Sequence, residues 1–226
     1  MNKRIFLGFT MLVIMGIAAG CVNPGNSSTI KPSGKGDSLR FKEEYEALNS
    51  ELDEDGANKY VSLSINEDNN IIYLTYDELL DFIDNKVGLL YFGRPACPWC
   101  RLLIPCLLDF AKENSVNIYY YDIEKDREEN NDRYKNILAI FGEYLPTDTV
   151  TQDEDDPGFD PFLKRVVLPH LFFMKDGKAE AEINLFQHEY LEDNDPVKLR
   201  QLLKEKYDLI DIYSGNKTVS GGCKDC

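Results

Sequence analysis

The sequence predicts an α/β domain, a central sheet flanked by helices. Three observations predict it. Strand-like apolar segments alternate with segments of helical spacing, the order that builds a parallel sheet core with helices on both faces. Val87 to Phe92 is a near-continuous apolar run, as in a strand buried on both faces. Asp176-Gly177 then joins two strand-like runs, which adds an antiparallel hairpin. The chain has 226 residues, 43% hydrophobic and 29% charged, enough for one domain with its own core plus extensions.

Taken in order, Leu39 to Asn49 carries Leu39, Phe41, Tyr45 and Leu48 at helical spacing. Tyr60 to Ile65 alternates Val61, Leu63 and Ile65 with polar residues and reads as a strand; Ile71 to Leu74 reads as a second. Thr75 and Glu78 form a capping box that opens a helix through about Asn85, with Leu79, Leu80, Phe82 and Ile83 as its apolar residues. Pro98 starts the helix after the Val87 strand, and this runs to about Glu113. Val116 to Ile123 is a further strand, and Asn131 to Tyr144 a further helix. An acidic loop covers Thr147 to Asp160. Val166 to Met174 is a strand carrying Pro169, and Ala179 to Phe186 returns antiparallel to it. Asp195 caps a last helix, with Pro196 at its first position, running to about Tyr213.

Asp and Glu outnumber Lys and Arg by 40 to 25, for a net charge of −15. Such a surface repels phosphate backbones, which argues against nucleic-acid binding, and offers no basic patch to anionic lipid. Two histidines exclude any site built on several, and six cysteines are too few for a disulfide-built scaffold. The N-terminus reads as an address. Lys3 and Arg4 precede an apolar run from Ile5 to Ile17, and Ala18, Ala19 and Gly20 lead into Cys21. The run falls short of the roughly 20 apolar residues of a spanning helix and has the charge–apolar–small order of a secretory signal peptide. Ala18-Ala19-Gly20-Cys21 resembles a bacterial lipobox, whose cysteine becomes the lipid-modified first residue; Ala18 replaces the usual Leu. The expected organisation is a signal peptide at 1–20, a lipid-anchor tether at 21–38 and an N-terminal extension at 39–74. The main domain follows at 75–213, with a flexible tail at 214–226. A lipid anchor at Cys21 would put the domain outside the cytoplasmic membrane, where disulfides persist.

Cys97-Pro98-Trp99-Cys100 directly follows a buried strand and opens a helix. There the free N–H groups and the helix dipole favour negative charge, so a Cys97 thiolate is stabilised and its pKa falls. Cys100, one turn on, can attack a mixed disulfide formed at Cys97. Zinc needs four ligands close in space, and the second C-x-x-C, at Cys223 and Cys226, lies far along the chain, well outside ribbon spacing.

This composite resembles the thioredoxin superfamily over about residues 75 to 213. Its parts are the strand Leu89-Leu90-Tyr91-Phe92, the Cys97–Cys100 motif and Pro105 five residues after Cys100. Val167-Leu168-Pro169 follows, leading into the hairpin Phe172-Phe173-Met174-Lys175-Asp176-Gly177-Lys178. The resemblance implies a thioredoxin-like fold, a central mixed sheet flanked by helices, with an acidic insertion before the cis-proline strand. It implies a dithiol oxidoreductase that uses no organic cofactor or metal. Cys97 attacks, Cys100 resolves, and Pro169 and Leu168 form the substrate edge. Phe92 to Cys100, taken with the lipobox, looks like the extracytoplasmic thioredoxin-like lipoproteins of Gram-positive bacteria, including bacteriocin transport accessory proteins. The implied partners are disulfides of exported proteins or peptides and a membrane electron donor or acceptor. One departure matters: where thioredoxins place a buried Asp, six residues before the first cysteine, this chain has Tyr91.

Trp99 is expected to stay partly exposed and contact substrate, and Arg94 offers positive charge nearby. His170, next to Pro169, tunes the thiolate, points into the core or points across the sheet. Cys106 lies half a turn out of phase with Cys97 and reads as a small buried hydrophobe. The lead from Ser214 to Gly222 spans about 30 Å when extended. Cys223 and Cys226 therefore form a second redox pair exchanging with the first, an inert terminal disulfide or an incidental surface metal site. The acidic loop fails the EF-hand pattern at Pro157 and Lys164 and reads as solvated. Two other classes stay open. One is a non-catalytic accessory lipoprotein, for which Cys97→Ala is silent; the other is a metal-binding dithiol protein.

Overall fold

The computed structural model describes residues 35–184 and 195–210. The expected signal peptide, Cys21, His188 and the Cys223–Cys226 pair lie outside the described residues. Among the described residues five strands form one mixed sheet: β1 (Ile71–Tyr73), β2 (Gly88–Gly93), β3 (Ile118–Asp122), β4 (His170–Lys175) and β5 (Lys178–Asn184). Their order across the sheet is β1-β3-β2-β4-β5. β1 and β2 run parallel to β3 on either side, and β4 runs antiparallel to both β2 and β5. The helices are α1 (Lys35–Glu46), α2 (Tyr76–Asn85), α3 (Pro98–Asn114), α4 (Glu124–Glu128), α5 (Asp132–Phe141) and α6 (Pro196–Tyr207). None in the described residues is long and apolar enough to cross a membrane. This is the expected α/β mixed sheet flanked by helices.

β2 is central because both of its faces are apolar. Leu89 and Tyr91 pack with Phe41 and Tyr45 of α1, Leu103 and Leu107 of α3, and Leu203 of α6. Leu90 and Phe92 pack against Leu79 and Phe82 of α2 and Ile137 and Phe141 of α5. The local signals act where expected. The Thr75–Glu78 capping box is present in both directions. At the β4–β5 turn Asp176 and Gly177 both take positive φ, 51° and 77°, which suits the twist of a two-residue hairpin.

Five readings are corrected. Tyr60 to Ile65 forms no strand, because side chains of the α1 region take its backbone bonds. Asn49 donates to Leu63 O (2.7 Å) and accepts from Leu63 N (2.8 Å), while Lys42 and Glu46 do the same for Ile65. The strand expected from Val166 starts only at His170. Pro169 has no N–H to give a ladder, and Val166 bonds instead to the Tyr134 hydroxyl and the Arg127 guanidinium. α4 was not foreseen, since five residues are too few to show a helical period. The chain is already helical at Lys35, four residues before the expected Leu39, and Asp37 accepts from Tyr73 N while Ser38 donates to Asn69 O, which tie this part of α1 to β1. α6 ends at Tyr207, short of the expected Tyr213.

The acidic loop is folded back on itself. A bridge pairs Thr147 with Lys164, and buried Asp148 accepts from Val150 N, Thr151 N and the Thr151 hydroxyl (2.5 Å). Gln152 spans the loop to Asp160.

Candidate active site

β2 ends at Gly93, and the chain turns through Arg94, Pro95 and Ala96 so that Cys97 becomes the N-cap of α3. At an N-cap the side chain accepts from a backbone N–H of the first turn. Here the acceptor is sulfur: the Cys97 Sγ takes the Cys100 N–H at 3.2 Å. Pro98 occupies the next position, where a missing N–H costs nothing. The helix continues through Pro105, which forgoes one backbone bond.

The two sulfurs are unlike. Cys97 is only 5% exposed, yet its thiol is lowered to about 7. The largest cause is a hydrogen bond from the Cys100 thiol. Burial opposes it; the Cys100 and Trp99 amides and the Arg94 charge add to it. Cys100 is fully buried, and burial first, then the neighbouring Cys97, pushes its thiol well up. Near neutral pH the pair therefore holds one reactive sulfur at the helix N-terminus and one protonated sulfur behind it. Both are free thiols in the structure.

The segment before β4 closes over Cys97. The Leu168–Pro169 peptide bond is cis, and the Cys97 thiol faces Leu168 O at 3.6 Å. Leu168 and Pro169 are both buried. Trp99 is 46% exposed, so an indole stands in solvent between the two cysteines. Arg94 forms an ion pair with Glu124 of α4, which fixes its charge near the thiolate.

The remaining expectations sort by contact. His170 is buried, stacks on Phe172 with ring centroids 4.1 Å apart, and bonds through Nε2 to Glu182 of β5. Burial lowers its pKa, and its bonded partner is across the hairpin. Cys106 is buried against α6, its thiol facing Pro196 O and pushed up by burial to about 11. Two features escaped the sequence. The fully buried Arg101 ties the site together, donating to Val61 O, Tyr45 O, Pro95 O and Asn49 Oδ1. A charge directly after Cys100, on a helix that is otherwise apolar there, was its one visible sign. The second feature is the Tyr91 hydroxyl, which contacts Tyr45 Oη at 3.2 Å and is near enough to Cys100 for each to act on the other's ionisation.

No family model matches the chain. Among solved structures it is similar to thioredoxin O2 from Arabidopsis thaliana in the oxidized state, at 19% identity and a TM-score of 0.38. That match covers 62% of this chain and 96% of the other. It is also similar to oxidized thioredoxin O1 from the same plant, at 18% identity and a TM-score of 0.36, over 62% of this chain and 99% of that one. The strand order and connectivity described above, with the dithiol between β2 and α3, make the fold thioredoxin-like.

Proposed function

We propose that this protein is an extracytoplasmic, membrane-anchored thiol–disulfide oxidoreductase acting on disulfides or thiols of exported proteins or peptides. The observation that carries the reading is the asymmetry of the dithiol. Cys97 is an N-cap sulfur with a lowered pKa, and Cys100 is a fully buried, protonated sulfur one turn behind it.

The chemistry follows from that asymmetry. The Cys97 thiolate attacks one sulfur of a client disulfide; the client S–S bond breaks, and the departing client thiolate takes a proton from water. Cys100 then loses its proton and attacks Cys97 Sγ, forming the Cys97–Cys100 disulfide and releasing the second client thiol. Two electrons pass from the dithiol to the client, and the reverse sequence oxidises a client dithiol. Leu168 O, beside the attacking sulfur, and the exposed Trp99 indole supply a polar and an apolar contact for a client peptide.

The anchored, extracytoplasmic part of the reading rests on the segment up to Cys21 and on the resemblance of Phe92 to Cys100 to exported thioredoxin-like lipoproteins. Both test together in cells: radiolabelled palmitate should appear on the chain and vanish in Cys21→Ala. In vitro, the chain is equilibrated with glutathione buffers and each cysteine's state is read by alkylation and mass spectrometry. Cys97 and Cys100 should titrate as one reversible couple. A midpoint near about −270 mV would mark a reductant and one near about −120 mV an oxidant. A pair that does not cycle overturns the reading.

A further inference from the structure

Three hydroxyls gather behind the dithiol in a part of the molecule that water does not reach. Tyr45, Tyr91 and Tyr120 are each fully buried. They come from α1, β2 and β3, so no single segment of the sequence displays them. The Tyr91 hydroxyl lies 3.2 Å from Tyr45 Oη, and it and the Cys100 thiol are near enough to act on each other's ionisation. Tyr120 Oη donates to Gly93 O at 3.2 Å, and its ring packs on Tyr91 with centroids 5.4 Å apart. Gly93 makes room for the arrangement, since a Cβ there would overlap the Tyr91 hydroxyl. Arg101, the residue after Cys100, donates to Tyr45 O at 2.7 Å and holds α1 against the dithiol helix.

Cys100 must become anionic to attack the mixed disulfide, yet it sits where charge is poorly solvated. No carboxylate or cation is among its hydrogen-bond partners in the described residues. A phenol is a poor base in such a place, because burial makes its own ionisation harder still. It is a good donor, and a donor aimed at a forming anion in a dry site is worth more than in water.

We propose that Tyr91 is a catalytic residue of the resolving step, its hydroxyl donating a hydrogen bond to Cys100 Sγ as that sulfur ionises and attacks, and that Tyr45 is a positioning residue that orients it. The step balances without proton transfer to tyrosine. The Cys100 S–H bond breaks, the Cys97–Cys100 bond forms, the Cys97–client bond breaks, and the proton ends on the departing client sulfur. The proposal rests on the oxidoreductase reading above and adds a role for the N-terminal extension, which supplies Tyr45.

The test uses the full chain with Cys21, Cys223 and Cys226 changed to serine, mixed with 5,5′-dithiobis(2-nitrobenzoate) in stopped flow. Attack by Cys97 releases one thionitrobenzoate, and resolution by Cys100 releases a second. Cys106, whose thiol is pushed up to about 11, stays protonated and reacts slowly. Tyr91→Phe should leave the first release unchanged and slow the second by about tenfold or more, the effect of losing a hydrogen bond to a charged group. Tyr45→Phe, which leaves Tyr91 in place, should slow only the second release, by about threefold. It carries the same test if Tyr91→Phe does not fold. A second release within twofold of the parent in both variants, or equal slowing of both releases, overturns the role of the tyrosines and leaves the oxidoreductase reading standing. Absence of the first release in the parent chain overturns both.

Discussion

At the scale of single residues, the pair Cys97 and Cys100 makes its own asymmetry. The largest influence on Cys97 is the Cys100 thiol, ahead of the backbone amides and of Arg94. Alkylation of Cys97 should therefore rise with pH around a midpoint near 7. The midpoint should move up in Cys100→Ala, less in Cys100→Ser, whose hydroxyl still donates, and up modestly in Arg94→Ala. Iodoacetamide labelling followed across pH by mass spectrometry reads all four proteins, and an unmoved midpoint in Cys100→Ala would reject the mutual hydrogen bond. Cys106, at about 11, should stay unlabelled in the native protein at pH 8. The same shift has a consequence for stability. Between about 7 and 9 the folded, reduced protein holds fewer protons at Cys97 than the unfolded chain does, so its stability rises with pH over that window. The gain is lost as pH falls through 7. Above the window the buried Cys100 thiol reverses the sign, because it stays protonated when the unfolded thiol has ionised. Urea unfolding of reduced protein should show the rise, and Cys97→Ala should remove it.

At the scale of elements, the segment after α1 is held by side chains doing what a neighbouring strand would do. Asn49 makes a two-way bond with Leu63, and Arg101 reaches Val61, Tyr45, Pro95 and Asn49 from α3. Arg101→Met removes a buried cation and leaves several buried acceptors unpaired, which should cost about 3 kcal/mol or more in urea unfolding. Thr75→Ala removes only the cap of α2 and should cost about 1 kcal/mol. The contrast between the two separates a tertiary clamp from a local one. Equal losses would mean that Arg101 is no clamp. The sequence showed the helix starts at Thr75, Pro98, Asn131 and Asp195 because capping is local chemistry. It misread Tyr60 to Ile65 because alternation reports which residues face inward and not which partner satisfies the backbone. Leu63 and Ile65 are indeed buried, while Val61 stays exposed.

At the scale of the whole molecule, α1 is part of the core on one face of the sheet. Phe41 and Tyr45 are fully buried there and pack against each other as a tilted ring pair, centroids 4.3 Å apart. Removing residues 35–50 would expose the β-sheet residues Ile71, Tyr91 and Tyr120 that they cover. The two side chains alone bury apolar surface worth roughly 1.5–3 kcal/mol each. The truncated chain should lose near-ultraviolet circular dichroism or bind a hydrophobic dye. A well-folded truncation of unchanged stability would mean that α1 is dispensable. The acidic loop belongs to a different part of the fold. It is organised by Asp148 and Arg165, and the exposed Phe162 lies beside the bridge that closes it.

What the sequence determined by itself is the chemistry that depends on neighbours in the chain. The C-x-x-C at a strand-to-helix junction, the capping box, the Asp-Gly hairpin and the buried β2 strand all follow from local sterics, hydrogen bonding and periodicity. Only the tertiary structure decided what stands behind the dithiol. Tyr45, Tyr91, Tyr120 and Arg101 come from four elements, and each alone reads as an ordinary core aromatic or surface cation. Their meeting beside Cys100 depends on the parallel β2–β3 pairing, which sets Tyr91 beside Tyr120, and on α1 packing across that face of the sheet. Burial, which depends on every packed layer together, then turns an unremarkable thiol and phenol into groups whose protonation the fold controls.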